Sequence, residues 1–171
     1  MGLTDKMSSF GSKMTDQVSK ITHRPVLVLQ ANFYQDIGKM LADAAIEEIE
    51  NAALRYKLIE VPGVFELPAA VSLGIAHQKF GAFVALGCVI RGETTHYDYV
   101  CEESARGLNH LAMTYRLPLG YGVITAENME QALARADRNG KNVGGRAAIA
   151  AVSMMNIKAM LPPPKPKPQK R

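Results

Sequence analysis

The sequence predicts an α/β protein whose parallel sheet is covered by helices on both faces. Short runs of β-branched and apolar residues alternate with longer segments in which apolar residues recur at the helical spacing. The longest apolar run, 82–90, has the length of a buried strand. Strict alternation of strand and helix implies right-handed βαβ crossovers, and such crossovers place parallel strands in one sheet.

Each element follows from its own local pattern. We predict strands at 25–30, 57–61, 82–90 and 119–125. We predict helices at 36–56, 67–80, 97–115, 126–137 and 145–160. Pro25 opens the first strand, where no ladder hydrogen bond is lost, and Pro68 lies in the first turn of the second helix, where proline is tolerated. Thr125 is expected to cap the fourth helix.

The chain of 171 residues is long enough for one domain with a sizeable core, which we place at 23–161. Residues 1–22 are expected to form a flexible N-terminal segment. Residues 162–171 contain only proline, lysine, glutamine and arginine, and are expected to form a disordered, extended tail. The net charge of +4 is mild and the tail has no aromatic residue, so nucleic acid is not an expected partner.

Cysteine usage and hydropathy favour a cytoplasmic location. Cys88 and Cys101 show neither a C-x-x-C spacing nor a disulfide framework, so both are predicted to be reduced thiols. Residues 1–20 lack the apolar core of a secretory signal. No apolar run approaches the roughly 20 residues of a membrane span, so no membrane partner is expected.

The stretch 87–100, GCVIRGETTHYDYV, is the strongest candidate for a site. It begins as the end of a buried strand, breaks at Gly92 and then opens a helix. Free backbone N–H groups and the positive end of the helix dipole coincide there, which favours an anion such as phosphate. His96 lies at the mouth of this turn. It is either an ordinary surface histidine or a proton-transfer group, because imidazole exchanges protons near neutral pH.

The spacing of residues argues against nucleotide-binding and metal-binding sites. No Walker loop is present and no G-x-G-x-x-G motif follows the first strand, which disfavours nucleoside triphosphates and dinucleotides. His23, His77 and His110 share no metal-ligand spacing with His96, so no metal is predicted.

Four segments are expected to meet at one edge of the sheet. Ligands bind parallel α/β sheets beyond the carboxyl ends of the strands, where connecting loops converge. The segments that follow the predicted strands are 31–34, 62–66, 87–96 and the region near Thr125.

Several residues in these segments have two interpretations. Phe33 and Phe65 follow strands, and each either stacks on a planar heterocycle or covers the sheet edge as ordinary packing. Glu66 precedes a helix, where it is either a stabilising charge or an acceptor for ligand hydroxyls. Tyr121 is expected to pack within the chain unless it faces a neighbouring one, and Arg135, taken alone, is a solvated cation.

Together these segments closely resemble the 6,7-dimethyl-8-ribityllumazine synthase family of riboflavin biosynthesis. The matching pieces, in one register across 25–161, are 31–34 (ANFY), 61–68 (VPGVFELP), 85–100 (ALGCVIRGETTHYDYV) and 121–135 (YGVITAENMEQALAR). The resemblance implies a flavodoxin-like α/β/α sandwich of three layers around a four-stranded parallel sheet. It also implies a transferase that condenses 5-amino-6-(D-ribitylamino)uracil with 3,4-dihydroxy-2-butanone 4-phosphate, without a metal or redox cofactor.

The resemblance assigns a role to each matching position. His96 would transfer protons, Phe33 would stack on the pyrimidinedione and Glu66 would bind hydroxyls. The positions that would contact the ribitylaminouracil are Phe33, Val64, Phe65, Glu66, Cys88, Val89, Ile90 and Tyr121. The positions that would contact the butanone phosphate are Glu93, Thr94 and Arg135.

The resemblance further implies a homo-oligomer with active sites between subunits. The family is built on pentamers, and some members assemble pentamers into hollow capsids. Tyr121 and Arg135 match residues that an adjacent subunit supplies. Pro25 hinders the N-terminal segment from adding to a neighbour's sheet, which favours free pentamers. Riboflavin synthase is a candidate partner protein.

Two positions depart from the family pattern and keep other functions open. Tyr34 replaces a frequent asparagine, and Val143 stands where a lysine is common, with Lys141 close by. The alternatives are a weakly active flavin- or lumazine-binding paralogue and a shell-forming structural protein.

Overall fold

A computed structural model of the protein describes residues 23–161. The predicted flexible segment 1–22 and the predicted disordered tail 162–171 lie outside the described residues. The strands are β1 (Val26–Ala31), β2 (Tyr56–Val61), β3 (Ala82–Ile90) and β4 (Leu119–Ala126). The helices are α1 (Gln35–Asn51), α2 (Leu67–Ala76), α3 (His96–Tyr115), α4 (Met129–Ala136) and α5 (Val143–Met160).

The four strands form one parallel sheet in the order β2-β1-β3-β4. Gln30 pairs with Glu60 on one side and with Leu86 on the other, so these three strands run in register towards the same edge. Because all carboxyl ends point one way, the loops that follow the strands meet at that edge. The predicted α/β class and the flavodoxin-like three-layer architecture are confirmed.

Alternate residues of each strand enter two separate cores, one on each face of the sheet. Val28 packs with α1, α4 and α5, whereas Leu29 packs with α2 and α3. Helix α5 approaches β4 so closely that a Cβ at Gly120 would overlap the carbonyl oxygen of Ala147. A larger residue at position 120 would therefore separate the helix from the sheet.

The first two helices end earlier than predicted, each close to a non-glycine residue in the left-handed region. Helix α1 ends at Asn51, because Ala53 reverses the chain with a φ of 55°, and Tyr56 then begins β2. Helix α2 ends at Ala76, and Gln78 follows with a φ of 53°. Glycine is the usual residue at such stops, so neither end carries the ordinary sequence signal.

The predicted cap of the fourth helix is wrong. Thr125 lies inside β4, paired with Val89, and α4 begins only at Met129. The cap is Asn128, whose side-chain oxygen accepts a hydrogen bond from the backbone N–H of Gln131 at 2.9 Å. Strand β4 continues until it lies beside the last residue of β3, so the backbone N–H and C=O groups of both strands stay hydrogen-bonded. This pairing is more favourable than a helix cap at Thr125.

Two other helices begin earlier than predicted. Helix α3 already begins at His96, which places the imidazole within the first turn. Helix α5 begins at Val143, and its cap is Asn142, whose side-chain oxygen accepts a hydrogen bond from the N–H of Gly145 at 3.1 Å. Asn142 has a φ of 48°, which asparagine tolerates better than most residues.

Much apolar surface stays exposed in residues 23–161. Helix α3 has 20 residues, yet only Ser104 and Leu108 are buried. Strand β2 lies at the sheet edge and its first five residues are exposed. The larger exposed apolar side chains on the helices include Leu73, Tyr99, Met113, Tyr115, Met129, Leu133, Ile149, Met154 and Ile157. Exposed apolar side chains mark an interaction surface where they form one contiguous patch.

Within residues 23–161, no helix combines the length and the apolar character that a bilayer crossing requires.

Candidate active site

A cavity of about 450 Å³ lies among the loops that follow β1, β2 and β3 and the first turns of α3. Its volume suits a small organic ligand. Nine of the predicted site residues line it: Phe33, Val64, Phe65, Glu66, Cys88, Val89, Ile90, Thr94 and His96. Three of the four segments expected at this edge therefore meet around one space.

Two exposed aromatic side chains border the cavity. The side chain of Phe33 is 74% exposed and that of Phe65 is 57% exposed. The ring of Phe33 meets that of Tyr34 edge to face, with 5.0 Å between centroids. Residues that served mainly to pack the sheet edge would be covered, so this exposure favours the stacking interpretation of both rings.

The backbone before Phe33 is anchored to the neighbouring strand. The N–H of Asn32 donates to the carbonyl of Val61 at 2.9 Å, and its side-chain amide donates to Glu60 Oε2 at 3.1 Å. The buried amide of Gln30 donates to Asn32 Oδ1 at 3.3 Å. These bonds fix the loop from which Phe33 projects, and no sequence motif indicated them.

A short 3₁₀ turn, Val64–Glu66, presents the second segment. The side chain of Val64 is buried against β3, whereas Phe65 and Glu66 face outwards. Glu66 makes no side-chain capping bond to α2, and its Oε2 lies 3.0 Å from the place that a Cβ on Gly63 would occupy. The carboxylate of Glu66 is thus free to accept hydrogen bonds from a ligand in the cavity.

Cys88 is a buried wall residue and a poor nucleophile. Burial, together with the nearby Cys101, raises the pKa of its thiol to about 11. The thiol therefore stays protonated at neutral pH, and only a thiolate attacks electrophiles efficiently. Cys88 is therefore better suited to contact a ligand through its backbone than to react with it.

The turn between β3 and α3 presents polar groups at the helix start. Thr94 Oγ1 accepts a hydrogen bond from the N–H of His96 at 3.4 Å, and the carbonyl of Thr95 accepts from the N–H of Asp98 at 3.0 Å. Thr94 and His96 line the cavity, whereas Glu93 lies in the same turn outside the lining. The side chain of His96 is exposed and can reach a ligand from the mouth.

Five lining residues stand outside the predicted set: Tyr34, Gly63, Gly92, Tyr97 and Val100. Val100 follows His96 by four positions, so helical spacing places both on one face of α3, and that signal could have identified Val100. The two glycines contribute backbone only. Tyr97 lies in the first turn of α3, directly after His96.

Tyr121 and Arg135 do not line this cavity. Tyr121 lies on β4, where burial raises the pKa of its phenol. Arg135 lies on α4 and donates from Nη1 to the carbonyl of Gln131 at 2.9 Å. The cavity of a single chain is thus built without these two residues.

The two departures from the family pattern have different surroundings. Tyr34 lines the cavity and also packs against the core shared by α1 and α5. Val143, the first residue of α5, is partly buried against that core, while Lys141 is exposed. Neither Val143 nor Lys141 lines the cavity.

Within residues 23–161, no group of three or more histidine, cysteine or acidic side chains is placed to hold a metal ion.

Known proteins of similar sequence show the family of the chain. The profile of the family described as 6,7-dimethyl-8-ribityllumazine synthase matches residues 23–159. The chain is similar to the 6,7-dimethyl-8-ribityllumazine synthase of Afipia carboxidovorans, with 42% identity over 87% of this chain and 94% of that one. It is 46% identical to the Zymomonas mobilis enzyme of that name, over 79% of this chain and 96% of the relative.

A third relative, of the same name and from Methylorubrum extorquens, is 49% identical over 78% of this chain and 80% of its own length. The matched region covers all of β1 to α4 and nearly all of α5. The chain belongs to the 6,7-dimethyl-8-ribityllumazine synthase family.

Proposed function

We propose that the protein is a transferase that makes 6,7-dimethyl-8-ribityllumazine. It condenses 5-amino-6-(D-ribitylamino)uracil with 3,4-dihydroxy-2-butanone 4-phosphate and releases phosphate and water. The observation that carries the proposal is the meeting of nine matched positions around one cavity in a chain of this family. The 5-amino group and the ketone form an imine with loss of one water, and elimination of phosphate then leaves an enol. The enol tautomerises to a new carbonyl, on which the ribitylamino nitrogen closes the ring with loss of a second water.

The cavity supports binding of the ribitylaminouracil through one flat surface and one polar wall. Phe33 offers an exposed ring for the pyrimidinedione, and its backbone is held by the hydrogen bonds of Asn32. Glu66 offers an uncommitted carboxylate for ribityl hydroxyls. Backbone groups of Val89 and Ile90 at the end of β3 complete the recognition of the ring.

The start of α3 supports binding of the phosphate. Helix N-termini attract anions because their first N–H groups lack intrahelical partners and the dipole is positive there. Glu93 and Thr94 would donate backbone N–H groups, and Arg135 of an adjacent subunit would pair with the charge. His96, in the first turn of the same helix, would exchange protons during imine formation and phosphate departure.

Catalysis would come mainly from holding two substrates together. Fixing both reactants in one cavity replaces a bimolecular encounter by an oriented one, which is the largest contribution available to a site of this kind. Proton exchange by His96 is the smaller contribution. The protonated thiol of Cys88 takes no covalent part.

We propose a homo-oligomer, a pentamer, in which Tyr121 and Arg135 complete a neighbour's site. The support is the exposed apolar surface of α3, α4 and α5, together with the position of both residues outside their own chain's cavity. Pro25 precedes β1, and we expect it to disfavour assembly beyond the pentamer. Sedimentation velocity separates a pentamer from a capsid of twelve pentamers, which differ about twelvefold in mass.

A cytoplasmic location and an association with riboflavin synthase complete the proposal. Cys88 and Cys101 are both free, as expected in a reducing compartment. Co-sedimentation of the two purified proteins tests the association.

The central experiment is a steady-state assay of the purified protein with both substrates, with lumazine formation followed by its absorbance and fluorescence. Reactions that lack either substrate are the control. Turnover no faster than the uncatalysed condensation, from protein that binds the lumazine, would instead support the paralogue that only binds. Tyr34, which lines the cavity in place of the usual asparagine, is the observation that favours this second candidate.

A further inference from the structure

Arg91 connects the turn after β3 to the loop after β4. Its backbone N–H donates to the carbonyl of Ala126 at 2.9 Å, and its Nε donates to Glu127 Oε2 at 2.9 Å. Glu127 is itself held, because its N–H donates to Gln131 Oε1 at 3.1 Å. Arg91 is thus bound to the end of β4 through its backbone and to the following loop through its guanidinium.

The other edge of the same guanidinium holds the first turn of α3. Arg91 Nη1 donates to Asp98 Oδ1 at 3.2 Å, and the guanidinium carbon lies 4.1 Å from the ring centroid of Tyr97. A cation at this distance over an aromatic face is attracted by its quadrupole. Tyr97 and Asp98 directly follow His96, so Arg91 contacts the helix turn that carries the imidazole.

We propose that Arg91 is a positioning residue for proton transfer by His96. Its fork of donors joins the loop after β4 to the first turn of α3 and keeps the imidazole at a fixed place over the cavity mouth. Arg91 does not line the cavity and does not touch the substrate in this scheme. The role rests on the proposed lumazine-forming activity.

Charge and geometry argue against a purely stabilising role. Side chains of Arg91, Asp98 and Glu127 are 39%, 56% and 56% exposed, and ion pairs so open to water contribute little to folding. The effect of these contacts on geometry is larger than their effect on stability. A planar guanidinium that binds two carboxylates and stacks on a ring fixes both the orientation and the position of the groups it contacts. Proton transfer is sensitive to displacements that barely affect stability.

The first test compares Arg91→Gln with the wild-type chain in the lumazine assay. We expect kcat to fall about fivefold, with KM for both substrates changed less than about twofold, because Arg91 does not itself line the cavity and acts through the helix turn that carries the imidazole. The fall in kcat for Arg91→Gln must be smaller than the fall for His96→Ala, because Arg91 acts through His96. Arg91→Lys, which keeps the charge but lacks the fork, should recover only part of kcat.

The decisive measurement is Arg91→Gln in the His96→Ala background. If Arg91 acts through His96, the double variant has the kcat of His96→Ala alone, because the group being positioned is already gone. An equal further fall in that background would show that Arg91 maintains the cavity in general, and would overturn the proposal.

Arg106→Gln is the matched control. Arg106 also lies on α3 and forms an exposed ion pair, with Glu103, but it does not line the cavity. We expect it to leave kcat and KM unchanged. If the wild-type protein turns over and Arg91→Gln has the same kcat, the positioning role of Arg91 is overturned and the proposed function stands. If the wild-type protein shows no turnover, the proposed function is overturned, and the role of Arg91 with it.

Discussion

Val64 packs directly on Gly87, so that a Cβ at position 87 would lie 2.6 Å from Cγ2 of Val64. The same Cβ would lie 2.9 Å from the Cβ of Ala31. Gly87 belongs to β3 and Val64 to the turn that forms one wall of the cavity. The absence of a side chain at position 87 therefore sets how near this wall comes to the sheet.

We predict that Gly87→Ala destabilises the protein by about 1–3 kcal/mol, the usual effect of overpacking a tight core. The variant should also raise KM for the ribitylaminouracil, because the wall must shift outwards. Urea unfolding and steady-state kinetics measure the two effects. Gly92→Ala is the control for stability, since a Cβ there meets no atom within 4 Å. Equal stability of the two variants would contradict the packing argument.

The raised pKa of Cys88 predicts a loss of stability in alkaline solution. The folded thiol keeps its proton up to a pH of about 11, whereas the ordinary value is 9.0. Between these two pH values the unfolded chain releases the proton and the folded chain retains it, so stability falls as pH rises. The fall attributable to Cys88 reaches about 2–3 kcal/mol at most.

Comparison of wild type with Cys88→Ala isolates this effect from other alkaline titrations. Urea unfolding at pH 8 and near pH 10.5 should show a difference between the two proteins that shrinks or reverses at the higher pH. A difference that stays constant across this range would mean that the Cys88 thiol titrates normally.

His96→Ala should slow turnover by about one to two orders of magnitude, the lower range of general acid–base effects. Most of the acceleration then remains, because the cavity still holds both substrates. His110→Ala, on an exposed position of the same helix, is the control and should be neutral. Complete loss of turnover in a folded His96→Ala protein would contradict this division of roles.

Arg135→Ala should raise KM for the butanone phosphate and leave KM for the ribitylaminouracil nearly unchanged. The reason is the proposed pairing of Arg135 with the phosphate bound by a neighbouring subunit. Steady-state kinetics at a saturating level of the other substrate measures both constants. Arg138→Ala is a nearby control that loses an ion pair with Glu47 instead. An unchanged KM in Arg135→Ala would remove Arg135 from the site.

The fold could be predicted closely where local patterns were strong. Strand β3 has the predicted bounds, because nine apolar or small residues in a row admit a buried strand and little else. Prediction was wrong where a stop depended on Ala53 and Gln78, which adopt left-handed conformations that their residue types do not favour. It was also wrong at Thr125, where pairing with β3 prevailed over helix capping.

The candidate site was predictable from residues that lie close together in sequence. The stretch 87–100 supplies strand end, turn and helix start in one piece, so its chemistry could be inferred before the fold was known. The hydrogen bonds of Arg91 to Asp98 and Glu127 were not predictable from the sequence. The partners Asp98 and Glu127 are separated by almost thirty positions and meet only because β3 and β4 are neighbours in the sheet.

The sequence by itself determined the alternation of strands and helices, the polar turn before His96 and the family of the chain, because these depend on local spacing and residue type. The tertiary structure alone decided that the loop after β4 lies outside the cavity lining, that Cys88 keeps its proton, and that Arg91 reaches two carboxylates. Those outcomes depend on strand order and on exclusion of water, and both arise only when distant segments pack together.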